Sequence, residues 1–231
     1  MTGFAGGGGS GFFFPEQPGR YILTSGAVQQ IIYDIEYLSF TNGLLDVARS
    51  VFAPKAVIDQ TAITYAKTVH LEAPALAIEQ YSLDIQSGAA TQQSFARALI
   101  AGAAQDSSIP ALVAYKAFLS TTPESAHLDA LASFVHGQIF SPGYQATGNP
   151  RLGGYEAMGM ALAALPGYVT QKQALSDGDF IGASYAAAFG RSATGLQFDH
   201  FAAQLNYFEN LYKNAGIAPA EADARARGAV Y

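Results

Sequence analysis

The sequence predicts an all-α fold, an array of short helical hairpins behind a Gly/Phe-rich extended amino-terminal arm. Three observations carry this prediction. Apolar residues recur at steps of three and four along most of the chain after residue 24, the period of one helix face. Pro, Gly, Ser, Thr and Asn punctuate those runs where helices start and stop. The stretch DSSIPALVAYKAFLSTTPESAHLDALASFV, residues 106–135, also has two weaker counterparts elsewhere, the mark of a repeated helical unit.

Residues 1–23 stand apart from the rest. Gly fills six of the first eleven positions, and Phe12, Phe13 and Phe14 follow, then Pro15 and Pro18. Gly this dense is costly to order in backbone entropy, while three adjacent phenylalanines leave a large apolar surface in water. The arm reads as a flexible segment with an aromatic plug that docks on a neighbouring copy or folds back over its own core. Phe12, Phe13 and Phe14 are the expected self-assembly residues.

Residues 24–57 read as amino-terminal helices. Val28, Ile31, Ile32, Ile35 and Leu38 follow helical steps, Asn42-Gly43 interrupts them, and Leu44, Leu45, Val47, Ala48, Val51 and Phe52 resume the stripe until Pro54. Residues 58–217 form the main helical domain. Asp59 caps a segment through Val69, Pro74 opens another that Gly88 closes, and Thr91 caps a third with Phe95, Leu99 and Ile100 on one face.

The central hairpin follows. Ser108 and Pro110 open its first helix, with Leu112, Tyr115, Phe118 and Leu119 as the stripe, and Thr122, Pro123 and Glu124 separate it from a second helix carrying Leu128, Leu131, Phe134 and Val135. An irregular loop, IFSPGYQATGNPRLGGY, then leads to a helix started by Asn149 and Pro150 and ended by Pro166-Gly167. After a helix from Tyr168 to Leu175 and the turn Ser176–Asp179 comes SYAAAFGRSATGLQFDHFAAQL, a cousin of the central hairpin. Its Tyr185, Phe189, Leu196, Phe198 and Phe201 answer Tyr115, Phe118, Leu128 and Leu131, with a Tyr-to-Leu gap that reads as shorter by two residues. A weaker echo runs from Tyr65 through Pro74, Leu76, Ile78 and Tyr81. Residues 218–231 read as a terminal helix without a polar closing segment, so the natural chain is expected to continue past Tyr231.

Composition narrows the function. Half of the 231 residues are apolar, enough for a sizeable core, yet only 13% are charged, well under the usual quarter. Such a surface suits contact with copies of itself or with sugars. The net charge of −6 and the scattered 12 Lys and Arg argue against nucleic acid, which needs a concentrated basic face. The absence of Cys removes thiol catalysis, disulfides and Cys-based zinc sites. No basic residue precedes Arg20 and no apolar run suits a leader or a membrane span, so export without a cleaved leader and a cytosolic location both stay open.

Catalytic constellations are missing, and the chain is not expected to be an enzyme. His70, His127, His136 and His200 match no zinc-protease spacing, no Gly-x-Ser-x-Gly elbow occurs, and the Gly6 to Gly11 run lacks the Lys that a phosphate loop requires. Asp177 and Asp179 are the candidates for calcium, set against a solvated, helix-capping turn. No other cofactor is expected.

The segment Ala75 to Val135 resembles the amino-terminal domain of the Caulobacter-type crystalline surface-layer proteins. It is also similar to the helical domain recurring in large type I secreted surface proteins, whose signature of Tyr, Gly-Arg, and Gly-Leu before an aromatic falls on Tyr185, Gly190, Arg191, Gly195, Leu196 and Phe198. The resemblance spans about residues 58–214. This chain has no Trp at the aromatic position, and its turn between Gly190 and Gly195 reads as shortened.

The resemblance implies an extracellular protein of the bacterial cell surface, exported by type I secretion, that self-assembles into a surface layer and attaches to outer-membrane lipopolysaccharide. The expected partners are copies of itself and lipopolysaccharide, with no nucleic acid and no transmembrane segment. The alternative is a subunit of an extracellular filament or sheath, assembled through the amino-terminal arm. Tyr144, Asn149, Arg151 and Tyr155 form the densest set of aromatic, amide and guanidinium groups in the family-like region and are the carbohydrate candidates. Each also has a plainer reading, as core aromatic or helix cap.

Overall fold

The computed structural model describes residues 36–146 and 148–231 in full and, before residue 36, the backbone of the strand segments alone. The described part is 71% helix, in agreement with an all-α array, and strands occur only before residue 55. The chain divides into two compact units, residues 1–62 with 74–92, and residues 63–73 with 93–231.

The first unit departs from the sequence reading. Residues 24–57, expected to be helical, are largely strands. β1 (Ala5–Gly6), β2 (Ser10–Phe13), β3 (Arg20–Ser25) and β4 (Val28–Tyr33) form an antiparallel sheet in that order. β5 (Tyr37–Phe40), β6 (Gly43–Asp46) and β7 (Val51–Pro54) form a second antiparallel sheet, also in chain order. The residues explain the difference: Val28, Ile31, Ile32, Val51 and the aromatics Tyr33, Tyr37, Phe40 and Phe52 are β-branched or flat side chains that fit a pleated surface. Short apolar runs of this kind satisfy both periods, and the arbiter is Asn42-Gly43, a hairpin signal and not a helix break. Thr41 and Asn42 make the turn, with Phe40 opposite Gly43. A Cβ at Gly43 would lie 2.3 Å from the Ala53 carbonyl oxygen and 2.5 Å from the Phe52 ring, so only glycine fits there.

In the arm, the backbones of Phe12 and Phe13 lie in β2 opposite Leu23 and Ile22 of the same chain. Their side chains, and all of Phe14, lie outside the described residues.

β6 is the buried middle strand. Leu44 packs with Ala53 and with Leu83 of α2 (Ala75–Ser87), the helix that covers β6 and β7. The buried Asp46 carboxylate accepts the Arg49 backbone N–H at 2.9 Å and its Nε at 2.5 Å, and Arg49 Nη1 reaches Asp84 on α2 at 2.7 Å. One guanidinium thus ties the sheet to its helix.

The remaining helices are α1 (Lys55–Val69), α3 (Gln92–Asp106), α4 (Ser108–Leu119), α5 (Ser125–Ile139), α6 (Pro142–Gln145), α7 (Pro150–Ala163), α8 (Pro166–Gln171), α9 (Asp177–Phe189), α10 (Gly195–Asn214) and α11 (Pro219–Val230). The core of the second unit is built around α4, which packs against α5, α7, α8 and α9. Ala111, Ala114 and Ala117 are fully buried, small enough to admit neighbours on several sides. Phe118 stacks on Tyr168 at 5.2 Å and meets the edge of Phe180 at 5.8 Å. From α5 come Leu128, Ala132, Val135 and Ile139, with Phe134 of the predicted stripe left exposed.

The repeat is real and more regular than the sequence reading had it. α1–α2, α4–α5 and α9–α10 are each joined by five residues, 70–74, 120–124 and 190–194. The first residue of each connection is left-handed: His70 at φ 57°, Ser120 at 56° and Gly190 at 70°. Its N–H donates to the carbonyl four residues back, on Ala66, Lys116 or Ala186, at 3.0, 2.9 and 2.9 Å. The second helix opens alike, with Ile78, Leu128 and Phe198 donating to Pro74, Glu124 and Thr194. Tyr185 therefore pairs in register with Tyr115 and Tyr65, and Phe198 with Leu128. The hairpin expected to be two residues short has a connection of the same length as its counterparts. Leu196 is the equivalent of Leu76 and Ala126.

In chain order a longer helix follows each pair, α3, α7 (after the short α6) or α11, and these three segments are numbered modules one to three; the first is divided between the two compact units. Modules two and three pack about a pseudo-two-fold axis where α7 crosses α11. A Cβ on Gly159 would lie 2.5 Å from Gly228 Cα, and one on Gly228 would lie 2.6 Å from Gly159 Cα. Each glycine also faces the carbonyl four residues before its counterpart, on Ala224 at 2.6 Å and Tyr155 at 2.5 Å. The equivalent residues Glu156 and Arg225 lie 3.6 Å apart across the same crossing. α5 rests on α7 as α10 rests on α11, and Lys116 Nζ donates to the Ala188 carbonyl between α4 and α9.

Candidate functional site

The four carbohydrate candidates are brought near one another by α6 and α7, but each is engaged within the fold. Tyr144 lies over Gly153, where a Cβ would fall 2.1 Å from its ring. Asn149 caps α7, its Oδ1 accepting the Leu152 N–H at 3.3 Å. Arg151 Nε donates to Asp106 at 2.7 Å, and the Tyr155 hydroxyl donates to the Gln105 carbonyl at 2.5 Å, so together they clip α7 to the end of α3. Burial pushes the Tyr155 phenol up.

Asp177 and Asp179, the calcium candidates, diverge. Asp179 turns back on its own cap, accepting the Ser176 hydroxyl at 2.7 Å while its N–H donates to the same oxygen. Asp177 instead meets Glu209 of α10 and Asp223 of α11, with carboxylate oxygens within 4.8 Å of one another. Cations already sit on this trio. Lys213 holds Glu209 at 2.6 Å, Arg227 Nε lies 2.8 Å from Asp223, and Arg227 Nη2 lies 3.6 Å from Asp177. Burial raises the Asp223 pKa, Arg227 opposes that, and the neighbouring Glu209 and Asp177 add to it.

Arg227 is the polar centre of this region and is only 2% exposed. Its Nη1 donates to the Tyr168 hydroxyl at 2.6 Å and to the Lys172 carbonyl at 3.2 Å, and Nη2 donates to the Leu175 carbonyl at 3.3 Å. The guanidinium stacks 4.2 Å from the Phe180 ring centre. Nε, although close to Asp223, is off the line of a hydrogen bond. Lys172 is buried beside it with one long contact, 3.5 Å to Ser184 Oγ, and its ammonium pKa is lowered by burial and then by Arg227. Burial, outweighing the nearby guanidinium, pushes the Tyr168 phenol up to about 12.

Against this network opens a cleft of about 470 Å³ between α7, α8 and α11. Met160, Ala163 and Ala164 line it from α7, Tyr168 and Gln173 from α8 and the turn after it, and Ala220, Glu221, Asp223 and Ala224 from α11. In the sequence Arg225 and Arg227 are two of the scattered cations, beside Glu221 and Asp223, and nothing singles them out as a site. The available signal was an Arg inside an alanine-rich helix, a cation that needs buried acceptors if that helix packs on both sides.

The hairpin signature serves the fold. Arg191 lies 5.2 Å over the Tyr185 ring and donates to Gln197 at 3.0 Å. Gln197 in turn completes a capping box with Thr194. His70 pairs with Asp129 on α5 at 2.5 Å, and His136 packs on Phe140 with rings 4.5 Å apart. Among the described residues, no helix is long and apolar enough to cross a membrane. Comparison with protein-family models, with curated proteins and with solved structures gives no match to this chain.

Proposed function

We propose that this chain is a structural protein of the bacterial cell surface that self-assembles and attaches to outer-membrane lipopolysaccharide. The supporting observation is a repeated exposure. Leu76 and Leu196 hold the same position in modules one and three, and they are 83% and 85% exposed. Covering each would return roughly 1.5–3 kcal/mol, so a side chain kept in water twice at one module position is better accounted for by an external partner than by the fold. Phe189, which ends the helix before the Leu196 turn, is 45% exposed as well. The low charge supports contact with further copies or with glycan.

Sedimentation of the wild type against Leu76→Asp and Leu196→Asp tests the assembly, both substitutions being expected to shift large species toward monomer. An unchanged size distribution removes the reading. Deleting residues 1–20 tests the filament alternative, in which loss of the arm alone dissolves the polymer. Attachment is tested by binding to smooth but not rough lipopolysaccharide.

A further inference from the structure

We infer that the cleft between α7, α8 and α11 is a binding site for a neutral, hydroxyl-rich ligand, a sugar ring or a polyol. Its location gives the attachment proposed above a specific subsite, and the choice of lipopolysaccharide as one probe rests on that reading.

The argument starts from charge. Both carboxylates on the cleft wall are already compensated from within: Glu221 accepts from Arg225 at 2.5 and 3.0 Å, and Asp223 lies 2.8 Å from Arg227. A further cation finds no surplus of negative charge large enough to repay its desolvation, and an anion meets Glu221, Asp223 and, behind them, Glu209 and Asp177. A neutral molecule has neither difficulty.

Hydrogen-bonding capacity gives the next step. Ion pairing leaves carboxylate lone pairs unused, since each carboxylate offers about four acceptor sites. Glu221 and Asp223 can thus take O–H donors, while the Gln173 amide offers both a donor and an acceptor. The Tyr168 hydroxyl, which accepts from Arg227, keeps its own proton to donate. A wall of acceptors with a few donors suits adjacent hydroxyl groups. The α7 lining suits the C–H face of a ring: Met160, Ala163 and Ala164 are all apolar, and sites of this size combine an apolar lining with few, fixed polar groups. Arg225 and Arg227 hold the acidic side chains from the far side, so the polar wall is organised before any ligand arrives.

The test titrates the intact chain with glucose, N-acetylglucosamine, rhamnose, glycerol and smooth lipopolysaccharide, read by calorimetry and amide NMR. Three variants accompany it: Gln173→Ala and Glu221→Gln, both at exposed positions, and Ala164→Trp, which fills the cleft from its rim. Thermal melts confirm that each variant folds. At least one saccharide or polyol is expected to bind, with shifts at residues 160–164, 173 and 220–224. Gln173→Ala and Glu221→Gln should weaken it by about tenfold each, and Ala164→Trp should abolish it.

Lack of saturable binding by every probe up to about 10 mM overturns the inference. Binding that Ala164→Trp leaves intact overturns it too. Lipopolysaccharide binding indifferent to all three variants keeps the attachment and removes this cleft as its site. Cleft-dependent sugar binding without lipopolysaccharide binding keeps the cleft and removes the attachment.

Discussion

Gly159→Ala is the most direct probe of the module pairing. The added Cβ would sit 2.5 Å from Gly228 Cα and 2.6 Å from the Ala224 carbonyl oxygen, both backbone atoms that cannot swing aside. Carbon atoms in contact prefer about 3.5–4.0 Å, so α7 and α11 must part by about 1 Å. Overpacking of this kind costs roughly 1–3 kcal/mol, and the upper end, about 3, applies here because both contacts are with backbone. Replacing a helical Gly by Ala returns about 1 kcal/mol of propensity. The net expectation is a loss of about 2 kcal/mol, or a fall in Tm of about 4–8 °C for a chain of this size.

Gly228→Ala should behave alike, because its Cβ would meet Gly159 Cα at 2.6 Å. The double variant should cost at least about 1 kcal/mol less than the sum, since one separation of the helices accommodates both methyls. Gly182→Ala is the control: nothing lies within 4 Å of its Cβ position, and it should gain about 0.5–1 kcal/mol. Urea unfolding followed by circular dichroism, with calorimetry for Tm, reads all four. A Gly159→Ala loss below about 0.5 kcal/mol, or strict additivity in the double variant, would refute the tight crossing.

Lys172→Met should stabilise the protein by about 1–2 kcal/mol at neutral pH, because an apolar chain replaces a buried cation that has no acid of its own. Since burial lowers the Lys172 pKa, its destabilisation is full below the folded-state value and fades as pH rises toward 10.5. The gap between variant and wild type should therefore narrow in the alkaline range, and calorimetry up to about pH 9.5 reads this before free tyrosines ionise near 10. Thr194→Ala removes the capping-box hydroxyl that accepts the Gln197 N–H at 3.4 Å and should lower urea stability by about 1 kcal/mol. Ser120→Gly relieves a left-handed, exposed position at φ 56° and should raise Tm, a gain of about 0.5–1 kcal/mol.

Much of the helical part was legible because its punctuation is chemical. Pro74, Gly88, Thr91, Asn149 and Pro150 act where they stand in the chain, and the hairpin reading of residues 106–135 needed nothing distant. The strands before residue 55 were not legible from period alone, since Val28, Ile31 and Ile32 serve a helix face and a pleat equally. Asn42-Gly43 held the answer, but its meaning depends on pairing β5 with β6. Module register was hidden because the left-handed residue is His70, Ser120 or Gly190, three side chains with nothing in common but their φ.

Site residues divided the same way. Asn149 could be read as a cap from its neighbour Pro150. The partners of Arg151 and Tyr155, Asp106 and Gln105, are 45 and 50 residues away and could not. Gly159 against Gly228 and Arg227 against Tyr168 are likewise products of packing between distant helices.

The burial of Arg227 bears on biosynthesis. This side chain and its neighbours Ala222, Ala226 and Gly228 fill the interior, and the Tyr231 ring lies 6.1 Å from Phe180 and 5.2 Å from Phe201. A nascent polypeptide halted on the ribosome before these residues emerge has Tyr168, Phe180 and Gly159 without their partners. Such a chain lacks the contacts of these side chains until α11 has emerged, and a protease pulse on stalled translation products should cut module three until then.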